Sequence, residues 1–310
     1  TTSNNGAGSL RQALADAPSG STITFDASLS GTTIYLAAPL DIVKNVTIDG
    51  SMLALKITIS GDSNGNGSGD VAVFTNSVGT LSDSVKIDSL IITHGFSYGD
   101  LDLGGGIYNI GFLTLRNSIL DSNFANIHGG AIYNSGTLTV TNCTFSNNLT
   151  TSGGGSIYND GTLTVTSSTF SGNATAYDSN GIASSGGGIY NSGILSVTNS
   201  TLSGNSATKY GGGIFNTDVG TVRVSNSTIN NNTSDVSAGG IYNVGNLVLI
   251  NSTLTGNLAN FNGGAILNKS TGQVNVYNST IAFNAADWDA DINGGQAGGI
   301  YNQSGGIFNL

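Results

Sequence analysis

One segment recurs eight times along the chain: Gly104–Asn109 reads Gly-Gly-Gly-Ile-Tyr-Asn, Gly129–Asn134 Gly-Gly-Ala-Ile-Tyr-Asn and Gly154–Asn159 Gly-Gly-Ser-Ile-Tyr-Asn, and variants close at Asn191, Asn216, Asn243, Asn268 and Asn302. Successive closing Asn residues lie 25, 25, 32, 25, 27, 25 and 34 residues apart, so the ground period is 25. A repeat of this size is one supersecondary unit that buries its apolar face only by stacking on its neighbours.

What the unit contains decides how it stacks. After the Gly-Gly segment comes an alternating stretch such as Thr137–Thr141 or Thr162–Thr166, then a motif of the form Asn-Ser-Thr-apolar-x-x-Asn, as at Asn142–Asn148, Asn199–Asn205 and Asn251–Asn257. Alternation at period two is a half-buried strand, with Leu138/Val140, Leu163/Val165, Leu195/Val197, Val222/Val224, Leu247/Leu249 and Val274/Val276 inside. Three short strands per unit, with Gly/Asn/Ser turns and no room for a crossover helix, predict a parallel β-helix. Its hand is expected to be right-handed, as for crossover connections generally. At 25 residues per turn the 310 residues make about 12 coils. The longer steps come from insertions at turns (Thr217–Gly220, Lys269–Gly272, and after Asn173 and Asn284), which leave the stacking register intact.

The first hundred residues are less regular. Ser9–Ala17 carries a Ser N-cap, good helix formers and a stop at Pro18, which predicts one short helix capping an open sheet end. Strands are expected at Ile23–Phe25, Thr33–Leu36, Val46–Ile48, Lys56–Ile59, Val71–Phe74 and Val85–Thr93. The chain therefore divides into an N-terminal cap over residues 1–22, irregular coils over 23–103 and the eight regular repeats over 104–310, all one continuous domain.

In a stack, equivalent residues form files. Asn109, Asn134, Asn159, Asn191, Asn216 and Asn243 should form a structural amide ladder, and Ser118, Cys143, Ser168, Ser200, Ser227, Ser252 and Ser279 a ladder of small residues. The Asn-x-Ser/Thr triplets at Asn142, Asn199, Asn226, Asn251 and Asn278 arise from the repeat inside expected strands, so glycosylation is not inferred from them.

These repeats resemble a known pattern. Gly-Gly-Ala-Ile at Gly129–Ile132 and Gly263–Ile266, with Phe-x-x-Asn at Phe145–Asn148 and Phe170–Asn173, is similar to the repeat of chlamydial polymorphic outer-membrane proteins and related bacterial surface β-helix proteins. Gly8–Leu14, followed by Ser21–Asp26 and Val46–Gly50, resembles the Cys-Ser-Leu-Arg-Glu-Ala segment that precedes such repeats, with Gly8 and Gln12 in place of the Cys and Glu. The resemblance implies a pectin-lyase-like solenoid, export, and roles in adhesion or surface fibres.

Composition narrows the chemistry. Eight Lys+Arg against 18 Asp+Glu give a net charge of −10, and scattered basic residues argue against nucleic acid as a partner. One cysteine permits no internal disulfide, and no apolar run is long enough to span a bilayer. The chain has no Glu, and Asp121, Asp160, Asp178, Asp218 and Asp235 fall at different phases of the repeat. A paired-carboxylate glycosidase or a calcium-dependent lyase is thus the minor reading; no catalytic residue, metal site or cofactor is assigned. His94 and His128 sit at separate phases and suggest no metal pair.

Two features stand out as binding candidates. Asp287, Trp288, Asp289 and Asp291 place the sole Trp among three carboxylates in an inserted loop, a setting for sugar stacking or partner anchoring. Tyr108, Tyr133, Tyr158, Tyr190, Phe215, Tyr242, Leu267 and Tyr301 occupy one repeat position beside a column of Ile, and either the aromatic or the Ile set faces out. An outward aromatic stripe is an interaction surface. Taken together, the sequence points to an extracellular or cell-surface structural and adhesive solenoid. Gly305–Leu310 stop part-way through a repeat with no cap, which suggests head-to-tail self-association into filaments. The alternative is a carbohydrate-binding or carbohydrate-active protein working through Asp287–Asp291, with surface glycans as ligand.

Overall fold

The computed structural model describes residues 1–78, 84–97, 103–286 and 295–310. In each regular turn the chain passes through four walls. In one such turn these are Ile132–Asn134, Thr137–Thr141, Thr144–Ser146 and Leu149–Thr150. The first wall stacks ten strands, the second eleven, the third ten and the fourth eight, and the strands pair in parallel throughout. The result is an all-β parallel solenoid of about nine complete turns, with a partial turn at each end and one short helix.

The tallest wall has eleven strands, so the expected 12 coils are not reached among the described residues. The reason is that early turns are long. Second-wall partners advance from Thr22 to Thr47, Lys86 and Thr114, steps of 25, 39 and 28 residues. The unit also holds four strands, not three. The fourth is only two residues long, as at Ala174–Thr175 and Leu258–Ala259, too short to show alternation.

Alternation along each strand decides what lies inside. Ile132, Leu138, Val140 and Phe145 of one turn are 0 % exposed, and register places each directly over its counterpart, Leu138 on Leu163 and Val140 on Val165. Phe145 and Phe170 stack at 4.5 Å with rings 1° from parallel, so the core repeats along the rod as well as filling it.

The helix α1 spans Leu10–Asp16. Ser9 accepts a hydrogen bond from the Gln12 N–H at its start, and Leu10 and Leu14 pack into the core cluster that contains Ile23 and Ile34. Arg11 ties it to the first turns by donating to the Pro39 and Ala38 carbonyls. Among the early strands, Leu40–Ile42 was not anticipated, Phe74–Asn76 replaces Val71–Phe74, and Val85–Thr93 is two strands broken at Ser89, whose φ is 61°.

Candidate functional site

The Ile-Tyr-Asn strand of the first wall builds the most distinctive surface. Its period-two alternation turns Ile and Asn into the rod and the aromatic residue out. Ile107, Ile132, Ile157, Ile189, Ile214, Ile241 and Ile266 are fully buried, whereas Tyr108, Tyr133, Tyr158 and Tyr190 are half-buried on the outer side. The aromatic set therefore faces out and the Ile set fills the core, but Tyr242 and Leu267 of the column are covered to 6 % and 5 % exposure by neighbours that include Tyr210, Val244 and Tyr301.

The outward rings form a continuous stack. Centroid separations are 5.5 Å for Tyr108–Tyr133, 5.6 Å for Tyr133–Tyr158, 4.6 Å for Tyr158–Tyr190, 4.9 Å for Tyr190–Phe215 and 5.2 Å for Phe215–Tyr242. The turn before each Gly-Gly lies along one flank. From it His128 stacks on Tyr158 at 4.0 Å and Tyr210 on Tyr242 at 4.5 Å. Gly153 sits so close that a Cβ there would lie 3.1 Å from a Tyr190 ring carbon. The stripe is thus a half-covered groove, not an open face.

Burial sets the chemistry of these phenols. It pushes Tyr133 and Tyr242 up to about 12, with Asp160 adding to the rise at Tyr133, where the phenol donates to Asp160 Oδ2 at 3.0 Å. Tyr158 and Tyr190 are raised for the same first reason. Burial lowers the pKa of His128. These are neutral stacking groups at neutral pH, suited to contact and poorly suited to proton transfer.

On the inner side of the same strand, the amides of Asn109, Asn134, Asn159, Asn191, Asn216 and Asn243 form one file. Each Nδ2 donates to the Oδ1 of the next, at 2.6–2.9 Å, and the file continues to Asn268 and Asn302. A second amide file, not anticipated, runs through Asn123, Asn148, Asn173, Asn205, Asn232, Asn257 and Asn284 at the corner before the fourth wall. Its signal was in the sequence as the closing Asn of each Phe-x-x-Asn motif. A Ser file joins the second and third walls, where Cys143 N–H donates to Ser168 Oγ and Ser168 N–H to Ser200 Oγ.

Asn142, Asn199, Asn226, Asn251 and Asn278 do not lie inside strands. They occupy exposed corners with φ of 46–54°, because Asn tolerates the left-handed region needed to turn between walls. Asp287, Trp288, Asp289 and Asp291 lie outside the described residues. Asp121 is bonded to Ser122, Ser146 and Asn147 on the third-wall side, and Asp160 to Tyr133 and Ser192 on the first, so the structure does not bring these carboxylates together. Among the described residues no group of three or more His, Cys or Asp side chains is placed to hold a metal ion. No helix among them is long and apolar enough to cross a membrane.

No curated protein and no solved structure matches the chain. At two places, residues 142–160 and 199–217, it matches the Chlamydia polymorphic membrane protein (Chlamydia_PMP) repeat, each match running from a left-handed Asn corner through the Gly-Gly turn to just past the next Ile-Tyr-Asn-type strand.

Proposed function

We propose that this chain is the rigid solenoid of a bacterial surface or outer-membrane protein, with a structural and adhesive role and no catalytic one. The observation that carries this reading is the coincidence of a surface-protein repeat with an unbroken parallel stack. A rod held by amide files presents side chains at a fixed pitch of about 4.8 Å, which suits a spacer or an extended contact surface better than a moving catalytic cleft.

The proposal includes end-to-end association. A parallel solenoid grows by adding rungs, so pairing of one copy's outermost parallel strands with those of another would continue the same stack. Large apolar side chains stand exposed near the last rungs, Phe283 at 91 % and Tyr277 at 50 %. Phe283 also holds φ 59° at a corner where equivalent positions carry Ser122, Asn147, Gly172, Gly204, Asn231 and Gly256. A bulky residue in that region is strained, and strain retained on an exposed aromatic supports a contact role.

Phe283→Asn tests this by analytical ultracentrifugation and thermal melting together. Release of strain is expected to raise the stability of the dispersed protein by about 1 kcal/mol while self-association weakens. Dispersed wild-type protein at every concentration, or association unchanged by the substitution, would overturn the end-to-end element.

A further inference from the structure

The corner between the second and third walls meets its backbone demand with a costly choice. In the regular turns its residue takes φ of 46–54°, a region that glycine enters without strain. The corner between the third and fourth walls has the same demand and places Gly172, Gly204 and Gly256 there. The earlier corner carries no Gly and keeps Asn117, Asn142, Asn199, Asn226, Asn251 and Asn278, with Ser167 the one departure. Left-handed backbone alone does not select an amide at rung after rung. Side-chain bonding does not account for it either. Asn142 Nδ2 donates to Asn117 Oδ1 at 2.8 Å and Asn251 Nδ2 to Asn226 Oδ1 at 3.3 Å, whereas the Nδ2 groups of Asn199, Asn226 and Asn278 donate to nothing among the described residues.

Five of these residues, Asn142, Asn199, Asn226, Asn251 and Asn278, are exposed and open an Asn-x-Thr triplet. The middle residue of each triplet belongs to the inward Ser file, as at Cys143 and Ser200. The third, Thr144, Thr201, Thr228, Thr253 or Thr280, takes an outward position on the third wall, half-buried or exposed, and its hydroxyl makes no hydrogen bond among the described residues. Amide and hydroxyl of the triplet are thus presented together at the surface, as an enzyme reading the triplet requires. The fold closes other triplets of the same form: Asn148, Asn173, Asn232 and Asn268 are 0 % exposed members of the amide files, with no space for a substituent.

We propose that Asn142, Asn199, Asn226, Asn251 and Asn278 are glycosylation sites, each carrying a hexose on Nδ2. Transfer from a glycosyl diphosphate donor forms the bond between Nδ2 and the anomeric carbon and breaks the bond from that carbon to the donor oxygen. The diphosphate leaves with the electron pair, and one Nδ2 proton passes to a base of the transferase. Successive corners stand about 4.8 Å apart, slightly more than the about 3.5–4.0 Å between stacked carbons, so one unbranched sugar fits on each rung while a branched one would cover the next. A row of neutral hydroxyls suits a chain of which only 8 % is charged. The modification goes beyond the structural role above and does not depend on end-to-end association.

Intact-mass measurement and electron-transfer peptide mapping of the full chain, purified from the cells that make it, test the assignment. Whole-hexose increments are expected on the five corner amides and on none of Asn148, Asn173, Asn232 and Asn268. Thr201→Val, expressed in the same cells, should lose the increment at Asn199 alone, and Thr201→Ser should keep it. Asn199→Gly suits the φ of 50° and removes no side-chain hydrogen bond, so it should fold and lower the intact mass by the same single sugar should Thr201→Val perturb the third wall. Unmodified corner peptides, sugar on hydroxyls in place of amides, sugar on the buried Asn residues, or an Asn199 increment that survives in folded Thr201→Val would each overturn the assignment.

Discussion

Asn191→Ala in the middle of the first amide file isolates what the ladder contributes. Asn191 is 0 % exposed; its Nδ2 donates to Asn216 Oδ1 at 2.9 Å, to the Gly193 carbonyl at 3.0 Å and to the Thr221 carbonyl at 3.4 Å, and its Oδ1 accepts from Asn159 Nδ2 at 2.8 Å. Truncation removes all four. Asn159 Nδ2 keeps the Gly161 and Ile194 carbonyls, both at 3.2 Å, so its loss is partial. Asn216 Oδ1 loses the donor that Asn191 supplied, in a place closed to water. An orphaned buried acceptor costs about 1–3 kcal/mol and each remaining net bond about 0.5–1.5 kcal/mol, so a total near 3 kcal/mol is expected.

The comparison variant is Asn302→Ala at the last rung. Asn302 is exposed; its Nδ2 donates to the Gly306 carbonyl at 2.9 Å, where water can substitute, and its Oδ1 accepts from Asn268 Nδ2, which keeps the Gly272 and Ile307 carbonyls at 3.0 and 3.2 Å. Its truncation should cost no more than about 1 kcal/mol. Urea denaturation gives the two stability losses, and hydrogen exchange read by mass spectrometry locates them. In a stack where each rung contacts its neighbours, the Asn191→Ala loss should spread to the rungs closing at Asn159 and Asn216 and fade beyond them. If Asn191→Ala lies within about 0.5 kcal/mol of wild type, or no lower than Asn302→Ala, the files are passengers on the sheet hydrogen bonds and the reasoning fails.

Gly161→Ala should be more damaging than its single methyl suggests, because a Cβ there would stand 2.0 Å from the Gly136 carbonyl oxygen of the rung below. Backbone must move, so the thermal midpoint should fall sharply, whereas Gly204→Ala, with no atom within 4 Å, carries only the milder penalty of its φ of 63°. Alkaline titration supplies a separate check. Tyr133 and Tyr242 are raised to about 12 in the folded chain, so the stability they contribute is complete below the ordinary tyrosine value of 10.0 and is lost as the pH climbs towards 12. Phenolate absorbance should lag behind that of exposed tyrosines and rise together with unfolding, and Asp160→Asn should bring the Tyr133 titration down while leaving Tyr242 in place.

The sequence made the walls legible wherever a strand was long enough to alternate. Leu138 and Val140 announced the second wall because five residues give two inward positions, and the closing Asn of each Gly-Gly segment gave the register outright. The two-residue strands of the fourth wall carry no period, so nothing in the spacing marks Leu149–Thr150 and Ala174–Thr175 as strands, and only backbone pairing defines them. Corners were hidden for the opposite reason: Asn142 continues an apparent alternation, and only its φ of 54° shows that the chain turns there. The aromatic column and the odd residue Leu267 within it were visible from spacing alone. What spacing could not supply was the flank. Phe261 comes from the preceding turn, and Lys269 and Gln303 follow the ladder Asn residues of two successive rungs, so only stacking brings them to one cavity.

A solenoid separates the residues that make it stable from those that make it particular. Identical rungs stabilise one another, so a residue that breaks a file loses something its neighbours keep. For Leu267 the loss is ring stacking, about 0.5–1.5 kcal/mol per aromatic pair. One such exchange by itself means little, since chains commonly tolerate less than optimal stability. Here packing offsets the loss: the Leu267 side chain is 5 % exposed and packs between Tyr242 and Tyr301, so an aliphatic group fills the rung that the ring left.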